Sequence, residues 1–276
     1  MAFLCTHAKS SPLLLNRRQF VGGLCACMAA LPLASCATSK GGGGPSLFAM
    51  SPQDEIRLGT QSWQRVSAQS KVSNDPNLKK IVGDVSSRLI RATGADGANL
   101  PWEYAVFENP EANAFALPGG KIGVNTGIFK IAENEHQLAT VLGHEIRHVT
   151  GHHGARRYEQ QMATSAGLQI ASVALDAGGV SNANQIVSIL GAGANVGIIL
   201  PFSREQETEA DMVGLEYMAA AGFDPRQSVK FWDNMMNKAG AGQGPSFLST
   251  HPSGRDRIAN LTAKTNEILA RPQKRG

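Results

Sequence analysis

The chain has 276 residues and a formal net charge of +4. Three of its basic residues (Lys9, Arg17 and Arg18) fall in the first 36, which carry no acid, so the remainder is close to neutral and lacks the basic surplus of a nucleic-acid binder. All four cysteines (Cys5, Cys25, Cys27 and Cys36) lie in that same segment, which excludes a disulfide-stapled fold; residues 37–276 are long enough to bury a core without one.

Residues 1–36 read as a targeting leader. Asn16-Arg17-Arg18-Gln19-Phe20 is a twin-arginine sequence, and Val21–Leu33 is an apolar stretch too short to span a bilayer as a mature helix. Leu33-Ala34-Ser35-Cys36 resembles a bacterial lipobox, which implies cleavage before Cys36 and lipid attachment there; the alternative is an ordinary secretory signal with an incidental cysteine. The glycine-rich residues 37–50 read as a flexible tether, and 51–276 as one catalytic domain.

Helical patterns are expected near 52–69 and 76–93. Trp102–Phe107 alternates and is rich in aromatic and β-branched residues, so it reads as a strand. Asn113–Leu117 and Lys121–Val124, separated by Pro118-Gly119-Gly120, read as a hairpin. A helix follows with Asn134 as N-cap and Gln137 completing a capping-box-like pair; its apolar residues Leu138, Ala139, Val141 and Leu142 mark it as buried.

That helix carries His144-Glu145-Ile146-Arg147-His148. Residues i and i+4 share one helical face, so the two imidazoles can reach a common point and offer zinc one of its preferred donors. Glu145, rotated roughly 100° from His144, flanks that point and can deprotonate a water there. The plain alternative is a helix with two histidines and a glutamate by coincidence. A metzincin would place a third histidine at position 154, which is glycine; His152 and His153 stand in the wrong register and, with His136, read as surface or helix-end residues.

Residues 157–200 are rich in alanine and glycine, and Ile186–Leu200 is too short for a membrane span, which suggests a buried or mobile helix near the cleft. Ser203, with Gln206 at N3, then caps a helix to about Ala221, ended by Gly222 and Pro225. Glu207 and Asp211 lie four apart on it. Glu207 can complete a three-ligand site, with Asp211 accepting the free N–H of a ligand histidine; alone, the pair reads better as two of four acids on a solvated face, and only downstream of the histidine motif does that become the weaker reading. Helices near 226–238 and 255–270 complete the chain.

Taken together, Asn113–Gly120 with Val124–Gly127, Leu142–His148, Ser203–Asp211, and Ser249–Pro252 with Arg257-Ile258 resemble the zinc metallopeptidases of the CAAX-prenyl-protease type. The likeness is to compact bacterial periplasmic lipoproteins and the related mitochondrial quality-control proteases. It implies an α+β fold, a mostly helical zincin-like domain with a small mixed sheet whose edge strand borders the active site. It further implies one zinc ion per chain on His144, His148 and Glu207, Glu145 as catalytic base, Asp211 in support, and His251 and Arg257 near the metal. Asn113, Ala114, Phe115 and Ala116 correspond to the edge strand against which such enzymes lay substrate. Arg147 departs from the pattern, being large and charged where relatives carry a small residue.

The expected function is a zinc-dependent endopeptidase of the bacterial cell envelope, acting in protein quality control on polypeptides such as misfolded envelope proteins. The expected location is the periplasmic side, reached by twin-arginine-like export and held by a lipid anchor in the outer membrane, with no nucleic-acid partner. Two rivals stay open: an inactive envelope binding or chaperone lipoprotein, and a peptidoglycan amide hydrolase.

Overall fold

In the computed structural model the described residues are 50–164, 201–237, 246–252 and 256–272. The leader, Cys36, residues 37–49 of the tether, and residues 165–200 lie outside them.

Helix α1 (Pro52–Gln69) is capped by Ser51 and α2 (Pro76–Ala92) by Asp75, each with proline in its first turn, where a missing N–H costs nothing. A short α3 (Ala95–Ala98) leads to β1 (Glu103–Phe107), β2 (Ala114–Leu117) and β3 (Lys121–Asn125). The sheet order is β1-β3-β2, with β1 parallel and β2 antiparallel to β3. The expected hairpin is present, and Gly119 and Gly120 make its turn with positive φ of 72° and 86°. β2 is therefore an edge: among the described residues, no strand pairs with its outer side.

Helix α4 (Glu135–Thr150) runs against the sheet and is buried over most of its surface. Its N-cap is Asn134, whose Oδ1 accepts the Gln137 N–H at 3.0 Å, but the capping pair is incomplete: Gln137 Oε1 accepts from Glu133, one residue further out. Residues 153–164 form a further helical stretch. Then come α5 (Arg204–Ala220), α6 (Arg226–Asn237), α7 (Ser246–Thr250) and α8 (Arg257–Ala270). The Ser203–Gln206 capping box on α5 is complete, and Gly222 after it has φ 77°.

The core joins Val82, Val85 and Leu89 of α2, Val106, Ile122 and Val124 of the sheet, and Leu138, Val141, Leu142 and Ile146 of α4. Phe231, Trp232 and Met235 of α6 close it. Each such side chain stabilises by roughly 1.5–3 kcal/mol on full burial, so α4 is held by packing on nearly every side. Its closest neighbour is α5. A Cβ on Gly214 would stand 3.0 Å from the His144 backbone nitrogen, so the two helices meet backbone to backbone beside the motif. No described helix is long and apolar enough to cross a membrane.

Candidate metal centre

The backbone contact of α4 with α5 brings the two halves of the site together. His144 and His148, four residues apart on α4, place their Nε2 atoms 3.0 Å from each other. Glu207 on α5 faces both, its Oε2 3.5 Å from His144 Nε2 and its Oε1 3.4 Å from His148 Nε2. His251, just past α7, closes the fourth side: its Nδ1 lies 2.9 Å from Glu207 Oε1 and 3.2 Å from His144 Nε2. All four residues are buried and offer ligand atoms within 4.8 Å of one another, a group able to hold a metal ion.

The donor chemistry fits zinc. Donors on one tetrahedral zinc, at bonds of about 2.0–2.1 Å, stand roughly 3.3 Å apart, close to the spacings here. The contacts on the Nδ1 atoms show which ring nitrogens face inward. Asp211 Oδ1 lies 2.9 Å from His144 Nδ1 and accepts its proton, leaving Nε2 a bare acceptor. His148 Nδ1 lies 2.9 Å from His153 Nδ1, so its Nε2 is likewise turned into the cluster. Two lone pairs aimed at one point repel unless a cation lies between them.

Charge reinforces this. Burial lowers the affinity of His144 for a proton, but the Glu207 and Asp211 carboxylates outweigh it and the net shift is upward. Burial pushes His148 well below its ordinary value. Burial opposes ionisation of Glu207, yet the imidazoles of His144, His148 and His251 hold its carboxyl far below the usual range. A proton and a metal compete for these same atoms.

Glu145 points to the other side of His144. Its Oε2 accepts the Ala116 N–H of edge strand β2 at 2.8 Å. Its Oε1 is buried without a hydrogen bond, 3.4 Å from His251 Nε2. Burial pushes this carboxyl up, against the attraction of His251 and His144, which suits a group that must take and return a proton. Arg257 of α8 donates from Nη2 to Asp211 Oδ1 at 2.7 Å and to Glu207 Oε2 at 3.3 Å, with its guanidinium 3.4 Å from the centre of the Trp232 ring. Phe202 stacks on His148 at 3.9 Å and Phe247 on His251 at 4.3 Å, walling two of the imidazoles.

The structure thus gathers His144, Glu145, His148, Glu207, Asp211, His251 and Arg257 in one place, with Ala114 and Ala116 on the adjoining edge. Asn113 precedes β2, and Phe115 stacks over Phe107 with its ring against Gly123. His136, at the start of α4, accepts the Asp224 N–H, and His152 pairs with Glu55, in keeping with helix-end and surface positions. His153 does not fit that expectation. It is wholly buried against His148, and burial holds its pKa down to about 4. The sequence carried no periodic signal for it, because the helix breaks at Gly151 and His152 adopts φ 53° before His153 turns back.

Residues 74–265 match the family model described as Peptidase family M48. The chain is 39% identical over 181 residues to the mitochondrial metalloendopeptidase OMA1 of Schizosaccharomyces pombe, covering 65% of this chain and 51% of that protein. It is 28% identical over 223 residues to the beta-barrel assembly-enhancing protease of Escherichia coli K12, covering 78% and 44%. With OMA1 of Saccharomyces cerevisiae it shares 37% identity over 236 residues, covering 78% and 65%. The chain spans about half the length of the first two of these relatives.

Proposed function

Since the chain belongs to peptidase family M48, we propose that it is a zinc-dependent metalloendopeptidase, with zinc held by His144, His148 and Glu207 and Glu145 as general base. The observation that carries this reading is the convergence of the His144 and His148 Nε2 atoms and Glu207 on one buried point, with a carboxylate of raised pKa beside them.

The ion supplies Lewis acidity, which acidifies water and polarises a carbonyl. Glu145 takes the proton of the attacking water at Oε1, the oxygen with no hydrogen bond, and delivers it to the departing amine. Its Oε2 stays fixed on Ala116, so the free oxygen keeps one orientation through both transfers. His251 and Arg257 stand beside the cluster, where a cation or an N–H can stabilise a developing oxyanion, and His251 is also placed to act as a fourth ligand. Strand alternation turns the main-chain groups of Ala114 and the carbonyl of Ala116 toward the open edge of β2, the Ala116 N–H being held by Glu145. An extended substrate adding there is read through its backbone, with little demand on its sequence.

Such tolerance suits a protease that removes misfolded proteins, and the relatives named above include proteases of mitochondria and of β-barrel assembly. The leader motifs and Cys36 support a finer reading, a lipid-anchored member of the bacterial lipoprotein branch on the periplasmic side of the outer membrane. Glu145→Gln is the test. The purified variant should keep its zinc and lose about 10²–10⁴-fold or more in cleavage of an unfolded protein. Undiminished proteolysis would remove Glu145 from the role, and cleavage of sacculi in place of polypeptide would move the substrate to peptidoglycan.

A further inference from the structure

The two ligand histidines are held differently from behind. His144 leans on a carboxylate, Asp211, which Arg257 holds in turn. Behind His148 stands a third imidazole, with His153 Nδ1 2.9 Å from His148 Nδ1. For His148 to present the Nε2 lone pair its proton must sit on Nδ1, and the atom placed to receive that proton is His153 Nδ1. His153 then carries its own proton on Nε2, which makes no hydrogen bond but lies 3.4 Å from Glu209 Oε2, an electrostatic contact. Glu209 is gripped by the Arg147 guanidinium. The large residue at position 147 thereby has a place in the site: it fixes the carboxylate at the outer end of this chain of contacts.

The local backbone is shaped for the same contact. His152 takes a left-handed conformation that a non-glycine residue adopts at a cost, and it folds His153 back over the end of α4. A Cβ on Gly151 would lie 2.7 Å from His153 Nε2, so the returning imidazole occupies space that any larger residue at 151 would fill. Resting on the zinc site proposed above, we infer that His153 is the positioning residue of His148, fixing its tautomer and ring orientation, with Glu209 and Arg147 as its outer anchor.

Loss of such an outer partner costs about 10–100-fold in metal affinity in comparable sites. The experiment compares zinc dissociation into an excess chelator, and the visible spectrum of the cobalt-substituted protein, for the full chain and its variants. His153→Leu keeps the bulk and removes the acceptor; zinc affinity should fall by about 10–100-fold and the cobalt spectrum should change. His153→Asn places an amide oxygen where Nδ1 stands, and should bring affinity back to within a few-fold of the parent. A purely structural histidine would not be rescued in this selective way. Glu209→Gln, at a more exposed position, should loosen zinc by a smaller factor and keeps the question answerable if His153→Leu does not fold. Parent-like dissociation from His153→Leu, or an Asn variant no better than the Leu variant, would overturn the inference, as would parent-like zinc retention in Glu209→Gln where His153→Leu cannot be purified. A parent protein that takes up no zinc would instead defeat the underlying metal-site reading.

Discussion

Gly214→Ala puts the link between fold and chemistry at risk with a single methyl group. Gly143 and Gly214 meet where α4 crosses α5. A Cβ at 214 would lie 3.0 Å from the His144 nitrogen and 3.1 Å from the Gly143 carbonyl carbon, against 3.4–4 Å for an ordinary contact. All three nearest atoms are backbone, so no side chain can swing aside, and the helices must part by several tenths of an ångström. Overpacking of this kind costs about 1–3 kcal/mol. Replacing glycine by alanine inside a helix returns about 0.5–1 kcal/mol. The net loss spans about 0–2.5 kcal/mol and centres at about 1 kcal/mol, or roughly 2–4 °C in Tm for a chain of this size. The displacement falls on the Asp211–His144 contact of 2.9 Å, since Asp211 lies one turn before Gly214 and His144 directly follows Gly143. Zinc affinity should therefore drop along with Tm, measured by chelator competition and thermal melting. A variant that melts at or above the parent temperature with unchanged zinc affinity would refute the crossing as the element that sets the site.

Two further outcomes follow from the same geometry. Stripping zinc should lower Tm, because His144, His148, Glu207 and His251 remain buried around one point; at free zinc 1,000-fold above Kd the ion contributes about 4 kcal/mol, and a melt indifferent to chelator would contradict the site. The second concerns His152, whose hydrogen bond to Glu55 at 2.7 Å raises its pKa above 6.5. A raised folded-state pKa gives stability that is fully present below about 6.5 and lost as pH rises through the folded value. The Tm difference between the parent and Glu55→Gln should accordingly be largest near pH 5.5 and fade by pH 9. Half of the His152 side chain is exposed, so solvent screening keeps the effect small. A difference that stays constant over that range would show that the pair does not titrate as a pair.

Much of this architecture is legible in the chain because its determinants are local. Ser203 and Gln206 cap α5 with atoms three residues apart, and the spacing of Glu207 and Asp211 puts both on one helical face. The hairpin turn is written in two adjacent glycines. Residues whose roles depend on distant partners are silent by comparison. Phe202 gives no sign that it will stack on His148, nor Trp232 that it will carry Arg257. Gln137 obeys the capping pattern in sequence, yet its side chain reaches Glu133. His153 was hidden for a sharper reason: helical periodicity assigns it to a different face from His148, and only the left-handed turn at His152 reverses that.

The silent and the legible parts meet on α5. That helix supplies Glu207 to the ion site, Asp211 to His144 and Glu209 to the anchor behind His148, all within two turns. A rigid shift of α5 along α4 therefore moves one proposed ligand and the supports of both other proposed ligands together, so the site's relative geometry depends on one helix crossing more than on any single side chain. The crossing is backbone-tight, with no flexible side chain to absorb a displacement. Glu145, the proposed base, is tied elsewhere, through Ala116 to the edge strand. Metal geometry is thus set by the helix pair and base geometry by the sheet, and α4, which carries both His144 and Glu145, is the element that must satisfy both at once.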